Sequence, residues 1–245
     1  MTEENLKEQR QALVEDCNRA IGLLQSGSPE KGLDLLKELA LRIRAFPLSD
    51  EIMWTDFHSL LDGLLFEEYC QSEIQGREIV RHPLKPAPIL YTCGSLLIEY
   101  GQTREALDVL NDLIMLDPVC PMYLFELTDC HKRLGNWEKA MSISRFALLC
   151  AATEEEFARC CRDIAFCLGE TGEAEAAIML YLFSLTHEDS EHAKNEIIYL
   201  GNTYNISPES VMELSMSEVL QELEIPEGIC ETVIESQEFL ETTLE

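Results

Sequence analysis

Basic residues are scarce in this chain. Its 245 residues hold 18 lysines and arginines against 46 aspartates and glutamates, a formal net charge of -28. A surface of that sign repels phosphate backbones and anionic lipid, which argues against nucleic-acid and membrane-surface binding. Long apolar runs are also missing: no stretch approaches the roughly 20 residues that a membrane-spanning helix needs. The opening MTEENLKEQR has neither the basic nor the apolar segment of a secretory signal, so a soluble, cytoplasmic protein is expected. There is no Cys-x-x-Cys pair, no glycine-rich phosphate loop, and no Ser/His/Asp set or carboxylate pair at an interpretable spacing. Nothing positive points to an enzyme, and neither a cofactor nor a metal is expected.

What is present suits a folded core. Hydrophobic residues make up 46% of the chain and charged residues 26%, the balance of a globular protein. Ten cysteines are many, yet they are scattered, and Cys17, Cys93, Cys130, Cys161 and Cys167 fall where a helix would point inward. They read as small apolar residues in a reducing compartment.

Helical periodicity runs through most of the chain. Leu6, Leu13, Cys17, Ala20, Ile21 and Leu24 share one stripe over residues 4–25. Ser28-Pro29 restarts a helix whose inner face is Leu33, Leu36, Leu39, Ala40 and Ile43. Residues 50–82 read as two further helices, one around Trp54, Phe57, Leu61 and Leu64, the other around Tyr69, Ile74, Ile79 and Val80. His82-Pro83-Leu84-Lys85-Pro86-Ala87-Pro88 then forbids helix and marks a boundary near residue 84.

Beyond it the sequence repeats. Gly101 and Gly135 are 34 residues apart, as are Ala106 and Ala140, while Gly172 and Ala177 follow after a step of 37. A period of this size marks helix-turn-helix units that bury their apolar faces only by stacking. The three additional residues approximate one helical turn and are expected to lengthen the first helix of the third copy, after a capping box at Thr153 and Glu156.

The residues Leu90, Cys93, Gly94, Leu97, Ala106, Leu110 and Leu116-Asp117-Pro118, repeated as Leu124, Leu127, Gly135, Trp137 and Ala140, resemble the tetratricopeptide repeat (TPR) family. Thr128 stands in the second copy where the family has a small glycine, and His131 at a large aromatic slot. The third copy is carried by Ile164, Ala165, Leu168, Ala177 and Tyr181, and Gly27, Gly32 and Leu36 outline a degenerate earlier one. The resemblance implies an all-α fold, an α-α superhelix of helix-turn-helix repeats. It divides the chain into an N-terminal helical region (1–84), three repeats (85–191) and an acidic extension (192–245).

In that family the first helices of successive repeats line a groove for a peptide from a partner. Carried over, the groove positions are Tyr91, Thr92, Ser95 and Glu99 from the first copy, and Phe125, Glu126, Asp129 and Arg133 from the second. Arg159, Arg162, Asp163 and Phe166 come from the third. Aromatic anchors among alternating charges suit a peptide with apolar plugs and some basic residues. The expected function is a non-catalytic adaptor or scaffold with a protein or peptide partner. Repeat domains that clamp the carboxylate terminus of heat-shock chaperones place basic and amide side chains where this chain has Tyr91, Ser95, Glu126 and Asp163, so a clamp is not expected. Residues 124–140 and 157–177 are also similar to the class II chaperones of bacterial type III secretion, which hold translocator subunits and supply the alternative function.

Other constellations have plainer explanations. Cys130-His131 could suggest an activated thiol, but adjacent helical residues point about 100 degrees apart. Cys160, Cys161 and Cys167 lack the spacing of a structural metal site. The run from His187 to His192 has two imidazoles and three carboxylates, and reads as a solvated connector in which Asp189 or Ser190 caps the next helix. Residues 195–245 contain 12 glutamates, at 196, 209, 213, 218, 222, 224, 227, 231, 235, 238, 241 and 245, and no lysine or arginine. Helix starts are expected at Pro208, after Ser215 and at Pro226, with Ile225, Ile229, Val233 and Leu240 as a narrow apolar stripe. The segment is either a packed cap of short helices or a partly disordered anionic extension, serving solubility, partner recruitment or masking of the groove.

Overall fold

The computed structural model describes residues 2–47, 50–212 and 215–244, so Glu213 and Glu245 of the acidic run lie outside the described residues. The chain forms two compact units, Met1–Glu126 and Leu127–Glu245.

The first unit is built on two helical hairpins. Helices α1 (Glu3–Gln25) and α2 (Pro29–Arg44) form one. Helices α5 (Ala87–Glu99) and α6 (Thr103–Ile114) form the other, and α2 packs on α5. The apolar stripe expected over residues 4–25 is the inner face of α1, with Leu13, Cys17, Ala20 and Leu24 buried. Close helix approach within each hairpin depends on a missing side chain. A Cβ on Gly94 would lie 2.6 Å from Leu110 Cδ2, and one on Gly32 would lie 2.7 Å from Leu24 Cδ2.

Between the hairpins the expectation of two helices is corrected. Strand β1 (Ile52–Thr55) pairs in parallel with β2 (Glu78–Arg81), and helices α3 (Leu60–Tyr69) and α4 (Gln71–Ile74) form the crossover that a parallel pair needs. Trp54, Ile79 and Val80 therefore belong to strands, as their β-branched and aromatic character favours. The extended backbone after β1 finds its partners outside any helix. Asp56 donates its N–H to the Leu116 carbonyl at 3.0 Å, and His58 donates to Asp117 Oδ2 at 2.8 Å. Ser59 and Asp62 then form a reciprocal capping box that starts α3. The proline-rich stretch is non-helical up to Pro86, and Asp56 Oδ2 accepts the first N–H of α5, from Ala87, at 2.9 Å.

The second unit contains α8 (Trp137–Cys150), α9 (Glu154–Thr171), α10 (Ala174–His187) and α11 (Glu191–Tyr204), each packed on the next. Helix α7 (Pro121–Arg133) starts in the first unit and ends in the second. The short α12 (Pro208–Met212) and α13 (Met216–Glu222) rest on α10, and α14 (Glu231–Leu244) follows. Ile225 and Val233 are buried in this region, and Gln237 Nε2 donates to the Ala152 carbonyl at 3.2 Å. Helix α14 begins at Glu231, five residues later than the proline rule placed it, with a non-helical bend at residues 227–229 before it. The longer step into the third copy is taken up as expected: α9 has 18 residues against 13 in α5 and α7. Thr153 Oγ1 accepts the Glu156 N–H, but Glu156 returns its bond to Ala152 N, one residue earlier than a reciprocal box.

One turn geometry closes the repeats. Gly27, Gly101, Gly135 and Gly172 have φ between 72° and 92°. In each case the following N–H reaches back five residues: Ser28 to Leu23, Gln102 to Leu97, Asn136 to His131, and Glu173 to Leu168, at 2.8–2.9 Å. These are Schellman ends, which satisfy the last carbonyls of the first helix while reversing the chain. The same bond runs from Ile206 to the Gly201 carbonyl at 2.9 Å, with Asn205 at φ 55° in the glycine position.

Candidate partner-binding face

Helices α5, α7 and α9 carry the predicted groove residues. In the first unit Tyr91, Thr92 and Ser95 are half-buried and Glu99 is exposed. The Tyr91 ring lies 5.5 Å from that of Tyr123, which fixes its position. Thr92 turns its hydroxyl onto its own helix, donating to the Pro88 carbonyl at 2.8 Å, whereas Ser95 Oγ is buried without a partner. Glu126 is half-buried, but Phe125 is only 5% exposed and serves the core of the free chain.

In the second unit the central feature is Lys132, which the sequence reading passed over. Its Nζ lies 2.7 Å from Asp129 Oδ1 and 2.6 Å from Asp163 Oδ1, and 5.3 Å from the centre of the Phe166 ring. Burial works against the ammonium charge, but Asp163 and Asp129 outweigh it and hold the Lys132 pKa above its ordinary value. Arg159 Nη2 approaches Asp129 Oδ2 at 3.4 Å, and Trp137 meets Phe166 edge-on with ring centres 5.8 Å apart. Asp129, Lys132, Arg159, Asp163 and Phe166 are thus one connected group, in which Asp163 is buried and the others are half-buried. Arg162 is turned elsewhere, onto Glu188 Oε2 at 2.7 Å, and Arg133 is exposed.

The other sequence candidates resolve into packing. Cys130 and His131 are buried, and His131 Nδ1 meets Asn136 Nδ2 at 3.3 Å. Burial pushes the Cys161 thiol up to about 12 and Cys167 up to about 11, so both stay protonated and behave as small apolar groups. His187 rests on Phe157 and Phe183 with its Nδ1 2.5 Å from Glu154 Oε2, while Ser190 caps α11 through the Ala193 N–H. One further cluster was not foreseen: Asp62, Asp117 and Cys120 are buried, with donor atoms within 4.8 Å of one another. Burial and the neighbouring Asp62 push the Asp117 carboxyl up to about 8, so Asp117 is largely protonated at neutrality. As metal ligands they would number three, one fewer than a closed structural zinc site uses.

No protein-family model and no curated protein matches the chain. Solved structures do. A structure of MamA, residues 41 to the end, from Desulfovibrio magneticus RS-1 is 15% identical and superposes with a TM-score of 0.53, covering 86% of this chain and 94% of that one. A putative kinesin light chain from Podosopora anserina with nearly identical TPR-like repeats is 13% identical with a TM-score of 0.52, covering 88% and 96%. Likeness at this identity defines the fold alone: the chain is an all-α protein of TPR-like helical hairpins, and the described residues of its first unit include one small parallel strand pair. No helix among the described residues is long and apolar enough to cross a membrane.

Proposed function

We propose that this chain is a non-catalytic interaction module of the cytoplasm that binds a polypeptide segment of a partner protein through the first helices of its repeats. In this reading residues 85–191 bind, and residues 1–84 and 192–245 flank them. The observation that carries it is the group around Lys132: charged and aromatic side chains left half-open to solvent, yet fixed by ion pairs and ring contacts. Groups held in place before the partner arrives lose little entropy when it docks, so the partner segment bears most of the ordering cost.

The test is affinity capture from a native lysate with the tagged full-length chain, compared with Tyr91→Ala and Arg159→Ala variants of unchanged helicity. Loss of one captured protein in both variants supports the face. Capture indifferent to both substitutions removes it. Recovery of a translocator subunit of a type III system would narrow the adaptor reading to the secretion-chaperone alternative.

A further inference from the structure

Helices α9, α10 and α11 enclose a cavity of about 230 Å³ whose lining includes Phe166, Glu170, Tyr181, Glu196, Tyr199 and Tyr204. We propose that it receives one basic side chain, arginine or lysine, of the partner polypeptide. This rests on the reading of the chain as a polypeptide-binding module and adds the chemistry that the bound segment must carry.

Charge is the first argument. Glu170 and Glu196 line the cavity, while the basic side chains of α9 and α11 are committed to other carboxylates. Arg159 faces Asp129, Arg162 faces Glu188, and Lys194 lies between Asp189 and Glu191. Helix α10 has no lysine or arginine. Among the described residues no lysine or arginine lines the cavity or pairs with either carboxylate, so the two attract a cation from outside and repel an anion.

The rings make the second argument. Phe166, Tyr199 and Tyr204 line the cavity, and the two tyrosines are 60% and 45% exposed. Aromatic faces attract cations, and Phe166 already carries one on its own account, since Lys132 Nζ lies 5.3 Å from its centre.

The third argument is Tyr181, whose side chain is fully buried and whose Oη has no hydrogen-bond partner. Burial, with Glu196 nearby, holds this phenol well above its usual range, so at neutral pH it remains an uncharged group able to accept a bond. A guanidinium or ammonium N–H donating to Tyr181 Oη would satisfy it. An apolar plug would leave the hydroxyl unmet and strip water from two carboxylates.

The experiment is an NMR titration of the isotopically labelled full chain at low salt with N-acetyl-arginine amide, N-acetyl-lysine amide and the neutral N-acetyl-norleucine amide. Saturable shifts at the amides of Phe166, Gly169, Leu200 and Thr203 are expected with at least one basic probe and not with norleucine, with a Kd on the order of 1 mM for so small a ligand. The stronger of the two basic probes identifies the preferred residue. Glu170→Gln and Glu196→Gln are each expected to weaken binding several-fold. Tyr181→Phe is expected to weaken it about tenfold, the effect of one hydrogen bond to a charged group, without lowering the unfolding temperature. Absence of saturation with both basic probes, equal response to norleucine, or an unchanged Kd in all three variants overturns the assignment. Such a result leaves capture through Tyr91 and Arg159 intact, whereas failure of the wider reading appears as capture indifferent to those two residues.

Discussion

Replacing Asp117 with asparagine should stabilise the first unit at neutral pH and hardly at all in acid. In the fold, Asp117 is buried beside Asp62, and burial with that neighbouring acid pushes the Asp117 carboxyl up to about 8 from an ordinary value of 3.8. In the unfolded chain Asp117 is ionised at pH 7, so the wild type takes up a proton there on folding. The sign follows from linkage: a folded pKa above the unfolded one gives stability that is complete below 3.8 and lost as pH rises toward 8. The loss is about 1.4 kcal/mol per pH unit, hence about 4 kcal/mol between pH 4 and pH 7. Asparagine has no proton to take up; its Oδ1 can accept the His58 N–H and its Nδ2 can donate to Asp62. The difference in unfolding free energy, variant minus wild type, should therefore grow by about 1.4 kcal/mol per unit from pH 5 to 7.5 and flatten above 8. His82, whose burial lowers its pKa to about 4, protonates only in the unfolded chain as pH falls through 6.5 and costs stability there, but equally in both proteins. The assay is urea unfolding at fixed ionic strength in a Trp137→Phe background, where Trp54, the remaining tryptophan, reports on the unit that holds Asp117. A difference independent of pH would refute the raised Asp117 pKa.

Three further substitutions test the packing. Gly94→Ala should cost about 1–3 kcal/mol in thermal or urea unfolding, because the new Cβ meets Leu110 Cγ and Cδ2 at 2.9 and 2.6 Å in a closed core. Gly22→Ala, on an exposed site of α1 with nothing within 4 Å, should instead add about 0.5–1 kcal/mol through helix propensity alone. Lys132→Met should destabilise the second unit by roughly 3 kcal/mol in urea unfolding followed by Trp137 fluorescence, since it strands the buried carboxylate of Asp163.

The repeat was legible because its constraints are local. A Schellman end needs a residue at positive φ, glycine meets that need at least cost, and so Gly27, Gly101, Gly135 and Gly172 stand out without any tertiary knowledge. Residues 50–82 were misread because their structure is decided from a distance. Trp54, Phe57, Leu61 and Leu64 have helical spacing, but the donors of Asp56 and His58 go to Leu116 and Asp117, more than fifty positions along the chain. Helical period in a short window cannot compete with partners that are invisible to it.

The group around Lys132 is hidden from the sequence for the same reason. Lys132 is not among the groove positions that the family resemblance supplies, and its role comes from Asp163 on the next helix. The turn that ends α11 has no glycine to mark it in the sequence. Asn205 follows Gly172 by 33 residues and makes the same backward bond, and asparagine is the residue that best tolerates the left-handed region after glycine. As a backbone requirement instead of a residue type, the period continues through α11, and the glutamates after residue 195 divide into two kinds. Glu196 is half-buried against a cavity with an unpartnered phenol, whereas Glu222, Glu231 and Glu238 are exposed. A run of like charge reads as one solvated face only until the helix beneath it is known.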